Sequence, residues 1–366
     1  MSLRRALLLA SFSLALAPQP SAGIDWVIET VDTDGDAGYR GSLALDSRGI
    51  PHIIYMEPTG LELRYATKTG ATWEIEVVHE GWDGRAGLDA IILPGDIPAF
   101  ATGGALYVRT GQIWEYEIMD AAGFWCSVVT LGPDGTVYAV SQGAHASQLG
   151  HGWLDAIERH DGTWSSPVWL MNTVFWPYDP NASIALDANE NPHVSITTTN
   201  GDPLRYLHRE GGVWSVDELG QGTWSSIAVD SHGSPRIAFY DPVALDLVMA
   251  TRSNNTWTMT PIDQAHDVGL HPSQVIYNDV SYISYYEHTH GALMYGAFTS
   301  PNSFSRSLVD YSADVGAWSS MAFDANGRPH IAYQDVTNGA LKYAVGNTAL
   351  PVRKATLGQV KALYRK

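Results

Sequence analysis

An all-β, seven-bladed propeller is the fold class that this 366-residue sequence predicts. Three observations predict it: a pattern of four short strands that recurs seven times, an aromatic residue at a fixed place in each copy, and an incomplete copy at each end.

The first strand of a copy alternates apolar side chains, as in Ser42–Asp46, Ser183–Asp187, Ser226–Asp230 and Ser320–Asp324. Its seven starts fall at Ser42, Asp89, Ser127, Ser183, Ser226, Ser273 and Ser320. A tight turn follows, from Asp46 to Gly49 and again from Asp187 to Asn191, Asp230 to Gly233 and Asp324 to Gly327. Asp can bind the turn backbone while Gly or Asn tolerates positive φ, so these turns read as hairpins. The second strand starts with Pro51, Pro192, Pro235 and Pro329, where a missing N–H costs no ladder bond. The third reads Leu63–Ala66, Leu204–Leu207, Leu293–Gly296 and Leu341–Ala344.

The fourth strand carries the aromatic: Trp26, Trp73, Trp114, Trp164, Trp214, Trp257 and Phe304, spaced roughly 40–50 residues apart. One per copy at one position reads as packing between copies. The chain opens on a fourth strand, Trp26–Val31, and closes on strands one to three, ending near Ala344. Pairing the two pieces completes the seventh blade and removes two sheet edges, an arrangement a linear array does not need.

The pattern in Asp324-Ala-Asn-Gly-Arg-Pro-His-Ile-Ala-Tyr333 resembles the repeats of secreted bacterial β-propeller proteins of poorly defined function, and does so over roughly residues 24–346. That resemblance implies architecture; propellers host enzymes and binders alike.

The ends differ from this body. Arg4 and Arg5, the apolar run Ala6 to Ala17 and the small residues near Ser21 and Ala22 read as a signal peptide over 1–23. The expected destination is the cell surface or the medium. Cys126 is the single cysteine, so no disulfide can form within the chain. The tail, 347–366, has five basic residues and no acid. Its run from Thr356 to Arg365 looks like a terminal motif of exported proteins from some uncultured bacteria, which implies sorting or attachment; docking on the acidic body is the alternative. Of the 21 Lys and Arg, two lie in the leader and five in the tail, which leaves 14 against 39 Asp and Glu. Such a body repels phosphates, so nucleic acid is not expected as a partner, nor is membrane insertion. An extracellular glycan or protein is, with the chain itself a monomer.

Two constellations could carry function. Three loops between copies share one spacing: Asp32, Asp36 and Gly38; Asp263, Asp267 and Gly269; Asp310, Asp314 and Gly316. With Glu57, Asp241, Glu287 and Asp335 they form an acidic face. Carboxylates on loops suit calcium, and Asp32, Asp34 and Asp36 are the candidate ligands, although the Gly falls too early for an EF-hand. The competing account is that each Asp caps its own turn. The second constellation lies where each copy enters strand one, around the channel mouth: Arg40, Trp125, Asn181, Trp224, His271 and Trp318. Indole rings beside Arg, His and Asn suit sugar binding, but Trp224 and Trp318 could equally wedge the blades apart. His52, His193 and His330 follow a strand-opening Pro, and Arg236 replaces them in one copy, which speaks against a shared metal.

Motifs for zinc hydrolysis, nucleophile elbows and phosphate loops are missing from the sequence, as is the sialidase repeat. The resulting expectation is a non-catalytic binding or scaffold module. Its alternative is a carbohydrate-active hydrolase or lyase using carboxylates and His on the same face.

Overall fold

The computed structural model describes residues 24–82, 87–119, 124–144, 151–174, 181–197, 203–300 and 303–347. The leader, most of the tail and the insertion after Ala144 therefore lie outside the described residues. Seven antiparallel sheets follow one another along the chain: blades 1 to 6 over 39–80, 89–118, 124–174, 181–220, 223–263 and 268–310. Blade 7 joins 315–346 to the N-terminal strand Trp26–Asp32, with Trp26 opposite Gly346. The closing blade forms as the sequence predicts. Blade 3 departs in its fourth strand, split into Thr163–Trp164 and Val168–Val174, both paired to His151–His160. Pro167 sits in the gap, where its missing N–H cannot continue the ladder.

Burial follows a strand's place in its blade. Second strands such as Pro51–Glu57 and Pro329–Asp335 are buried at every residue, because both sheet faces meet a neighbouring blade. Outer strands such as Thr72–Glu80 are largely exposed. The apolar core is thus a series of layers between blades. Leu204 and Tyr206 of blade 4, for example, pack on Ile227, Ile237 and Phe239 of blade 5. The hairpin Asp residues act as predicted: Asp46 Oδ1 accepts the N–H groups of Arg48 and Ile50 at 2.9 and 2.8 Å, and Asp324 repeats this with Asn326 and Arg328.

Polar clasps on the outer rim add direction to that packing. Each of four indoles donates to an acid three residues after the aromatic of the preceding blade: Trp73 to Glu29, Trp114 to Glu76, Trp164 to Glu117 and Trp257 to Asp217. A cation on the adjoining third strand binds the same acid: Lys68, Arg109, Arg159 and Arg252 respectively. Blade 6 carries Phe304 in place of Trp, and its cross-strand partner is Phe298 in place of a cation. The fourth-strand aromatics are structural, and so are the histidines: His52, His193 and His330 bond the hydroxyls of Tyr65, Tyr206 and Tyr343 within their own blades.

Two indoles lack such an acid: Pro167 stands three residues after Trp164, ahead of Trp214, and the clasp at Trp26 is incomplete as well. The Trp26 indole nitrogen is buried without a partner, because Ser307 stands where the preceding blade would supply an acid. Ser307→Glu should stabilise the chain by about 1 kcal/mol, the usual net worth of one satisfied buried donor. Thermal melting checks this; no gain, or a gain that survives Trp26→Phe, would show that the new carboxylate does not reach the indole.

A second ring of bonds circles the channel. The strand-one Ser hydroxyl of one blade accepts a strand-one N–H of the next: Ser320 from Leu43, Ser42 from Ala90, Ser183 from Ile227, Ser226 from Gln274 and Ser273 from Met321, all at 2.9–3.2 Å. Blade 2 substitutes Asp89, whose carboxylate accepts from Val129 at 2.9 Å.

Candidate functional site

Strand one enters each of blades 1, 5, 6 and 7 through a bulge. Two residues there oppose one on strand two: Arg40 and Gly41 against Tyr55, Trp224 and Ser225 against Phe239, His271 and Pro272 against Tyr285, Trp318 and Ser319 against Tyr333. The first residue of every pair is left-handed, with φ of 52° at Arg40, 48° at Trp224, 47° at His271 and 52° at Trp318. Bulky residues avoid this region at a cost of about 1–3 kcal/mol each, and bulges that re-aim side chains gather beside functional sites. Four sequence-predicted site residues thus share one unusual conformation at equivalent positions.

The bulges bring these side chains into one arc. The guanidinium of Arg40 lies 5.5 Å from the Tyr39 ring centroid and 5.2 Å from that of Trp318. Trp318 stacks on His271 with centroids 3.8 Å apart and planes 26° apart. His271 meets Trp224 edge-on at 4.6 Å, and Trp224 meets Tyr240 at 5.6 Å. Both His271 ring nitrogens are buried without a hydrogen-bond partner. Burial pushes the imidazole pKa down to about 3, and the charges of Arg40 and His288 push the same way, so the ring is neutral.

Beneath the arc the channel opens into a cavity of about 190 Å³ to which all seven blades contribute. Arg40, His271 and Trp318 line it together with Ser183, Ser226, Ser273 and Ser320. Trp224 is not on its wall; it holds His271 from the side. Trp125 and Asn181 occupy the equivalent strand-one entries of blades 3 and 4, but their side chains lie outside the described residues. Sequence reading missed Tyr39, Tyr240 and Tyr286, which flank the arc from neighbouring strand positions. It also missed the serine ring, although a Ser recurring at strand starts was its visible signal.

The acidic loops have a different structure. The first Asp of each loop is buried and reaches forward to the next blade. Asp32 accepts the Tyr55 hydroxyl at 2.6 Å and Arg64 at 3.0 Å; Asp263 binds Tyr285 and Arg306; Asp310 binds Tyr333 at 2.7 Å and Lys342 at 2.6 Å. The second Asp reaches back: Asp36 accepts from Gln334, Asp267 from Tyr240 and Asp314 from Tyr286. The glycine completes the unit, since a Cβ on Gly316, whose φ is 108°, would stand 2.8 Å from the Leu293 Cα. Blade 5 shows the rule by exception: Phe239 replaces the Tyr, and Gly220 stands where the Asp would be. The strand-two acids cap their own turns, Asp241 taking the N–H groups of Val243 and Ala244, and Asp335 that of Asn338.

At the predicted calcium ligands, Arg64 binds both Asp32 and the exposed Asp34, at 3.0 and 3.1 Å. An ion among Asp32, Asp34 and Asp36 would have to displace that guanidinium. Among the described residues, no group of three or more His, Cys, Asp or Glu is arranged to hold a metal ion.

No family model and no curated protein matches the chain. Solved structures do. An ulvan lyase of polysaccharide lyase family PL25, bound to -[GlcA(1-4)Rha3S]-, is similar with a TM-score of 0.61 and 13% identity, over 91% of this chain and 99% of that one. BBS1N in complex with ARL6DN gives 0.58 and 11%, over 89% and 97%. A protein of unknown function from Dyadobacter fermentans DSM 18053 gives 0.53 and 13%, over 88% and 97%. At these identities the likeness shows the fold alone.

Proposed function

We propose that this chain is an exported bacterial binding or scaffold module that holds an extracellular glycan at the mouth of its propeller channel, as a monomer. The observation that carries the reading is the arc from Arg40 to Trp224, held in left-handed bulges above a cavity and containing an imidazole whose two nitrogens have no protein partner. Strain and unpaired buried polar atoms are both costly, and a ligand that takes up the nitrogens gives them a reason. The similar lyase bound to a glycan supports the ligand class. A protein partner on the same face is the outcome if glycans fail.

A broad glycan panel screened with calcium and with EDTA tests the reading. A hit is expected, and Trp318→Ala and Trp224→Ala should each weaken it at least ten-fold while shifting the melting midpoint by only a few degrees. Alanine retains the left-handed backbone, so any stability lost belongs to packing. If melting collapses while residual affinity is normal, the indoles are wedges and the reading loses its best residues. A calcium-dependent hit would join Asp32, Asp34 and Asp36 to the site.

A lyase is the second reading, since His271 and Arg40 share the cavity wall; an imidazole with a pKa of about 3 is a weak base, so bound substrate would have to raise that pKa before proton abstraction. A two-carboxylate hydrolase has less to use, because Asp32, Asp263 and Asp310 are engaged with Tyr and cationic partners. Chain cleavage that His271→Ala abolishes would put the lyase first.

A further inference from the structure

The loop Asp263–Gly269 and the turn Glu287–Gly291 meet at one corner of blade 6 and bring three exposed histidines there: His266, His288 and His290. Blade 1 shows the same corner without them. Gly35 takes a φ of 73°, Glu57 Oε1 accepts the N–H groups of Asp36 and Thr59, and Oε2 accepts that of Gly60. Arg64 of strand three holds its guanidinium 3.9 Å from the same carboxylate. Blade 6 departs at each point. His266 keeps the left-handed backbone, with φ 72°, in a region that a residue with a side chain avoids. A Cβ on Gly35 would stand 2.2 Å from Glu57 Oε1, so a histidine at that place excludes the carboxylate from its blade 1 position. Asp267 accordingly donates its N–H to the Thr289 hydroxyl at 3.0 Å, and Glu287 Oε1 is buried without a hydrogen-bond partner. Met294 stands at the position of Arg64, so strand three brings no cation to Glu287, whose side chain is 9% exposed.

What the corner gains is imidazole. The rings of His266 and His290 lie 5.0 Å apart, centroid to centroid, with planes at 78°. His290 Nδ1 is 3.0 Å from Glu287 Oε2; a carboxylate only accepts, so Nδ1 carries the proton and Nε2 keeps its lone pair. The turn is clasped to the loop, since His288 donates its N–H to the Asp267 carbonyl and its Nδ1–H to the Asp267 carboxylate, both at 2.9 Å. Metal-binding histidines commonly hand their second N–H to a carboxylate, which orients the ring and makes it a better ligand. Two imidazoles on one tetrahedral ion, with N–metal bonds of ~2.0–2.1 Å, hold their centroids about 5 Å apart. We propose that His266 and His290 bind one divalent transition ion of the zinc, copper or nickel class, with Glu287 orienting His290 and answering the ion's charge. Imidazole nitrogen suits these ions better than calcium. Two protein ligands leave the other positions open to water or to an oxygen of a bound molecule, unlike the closed set of a structural zinc site. Tyr286 stands between this corner and the arc, its ring 5.6 Å from that of His288 and 6.5 Å from that of His271. The ion site does not depend on the glycan reading.

Calorimetry and thermal melting on the full, tag-free chain after EDTA treatment test this with zinc chloride, with calcium chloride as competitor. Zinc should bind saturably at one ion per chain and raise the melting midpoint, and equimolar calcium should not displace it. His266→Gly restores the residue of blade 1 and removes the left-handed side chain. That variant should melt no lower than the parent without metal, yet bind zinc at least ten-fold more weakly, and His290→Ala should lose as much. His232→Ala, which removes an exposed histidine from the blade 5 hairpin, should keep the parent's affinity. Zinc binding that is absent, or that survives either substitution at the corner, would overturn the pair. An equal loss in His232→Ala would show an adventitious ion only, and displacement by equimolar calcium would overturn the imidazole assignment in favour of carboxylates. The stability expected of His266→Gly keeps a loss of binding distinct from a loss of fold.

Discussion

Asp310→Ala should lower the unfolding free energy by about 3–5 kcal/mol, the largest single-site loss expected in this chain. Asp310 is 5% exposed and Lys342 7% exposed, and the ammonium sits 2.6 Å from the carboxylate. Removing the acid leaves a buried cation with only the Ser312 hydroxyl, and leaves the Tyr333 hydroxyl without its acceptor. The pair itself need not add much net stability, since desolvating two charges offsets most of their attraction. The double variant Asp310→Leu with Lys342→Met should therefore recover most of the loss. Urea unfolding of the three variants separates these terms. A single-site loss below about 1 kcal/mol would mean that water reaches Lys342 freely.

The same pair has a pH signature. Burial alone would raise the Asp310 pKa, but Lys342, Tyr333 and Ser312 outweigh it and hold the carboxyl below its usual value. A depressed carboxylate contributes stability that is present above the unfolded pKa of about 3.9 and lost as pH falls through the folded one. The contribution of Asp310 should thus persist at neutral pH and fade below about pH 4.

Asp89→Ser should act in the opposite direction and stabilise the chain at pH 8 by about 2–4 kcal/mol. Asp89 stands where other blades place the Ser of the channel ring. Burial pushes its pKa up to about 7, although the Val129 N–H, the Ser42 hydroxyl and the Ala90 N–H pull it back. A carboxyl raised in the folded state favours folding while protonated, and that advantage is lost as pH rises from about 4 to 7. Serine accepts the same N–H without the charge. Buried histidines oppose this trend in the parent chain: burial pushes His193 and His330 down to about 4, so their contribution is lost as pH falls below about 6.5. The difference between parent and Asp89→Ser cancels them. It should be near zero at pH 4 and grow to its full size by pH 8; a constant difference would show that Asp89 does not titrate in this window.

Much of the architecture was legible because each blade repeats the same local chemistry. A period-2 apolar pattern, an Asp-led hairpin and a strand-opening Pro are short-range features, and the last two recur together in four of the seven copies, enough to set the register of the rest. Ring closure was legible from the complementary ends, Trp26–Val31 and the strand near Ala344. The split fourth strand of blade 3 had a local signal in Pro167, which is overlooked when copies are read by average pattern. The site was half legible. Aligning strand-one entries picked out Arg40, Trp224, His271 and Trp318, because equivalent positions on a ring must surround one opening.

Sequence by itself therefore determined the blade count, the order of strands and the equivalent strand-one positions of Arg40, Trp224, His271 and Trp318, all of which follow from repetition. Tertiary structure decided what those residues do. The aspartates of the D-x3-D-x-G loops look alike on paper, but the first reaches forward to a Tyr on the next blade and the second back to the blade it has just left. That division depends on loop direction, not on residue type. Likewise, four side chains face one another across separate blades only because a bulge turns each into the left-handed region. Nothing in the residue types announces it: the bulge is a two-against-one fit between strands one and two of a blade, as at Arg40 and Gly41 against Tyr55, and only the paired register shows it.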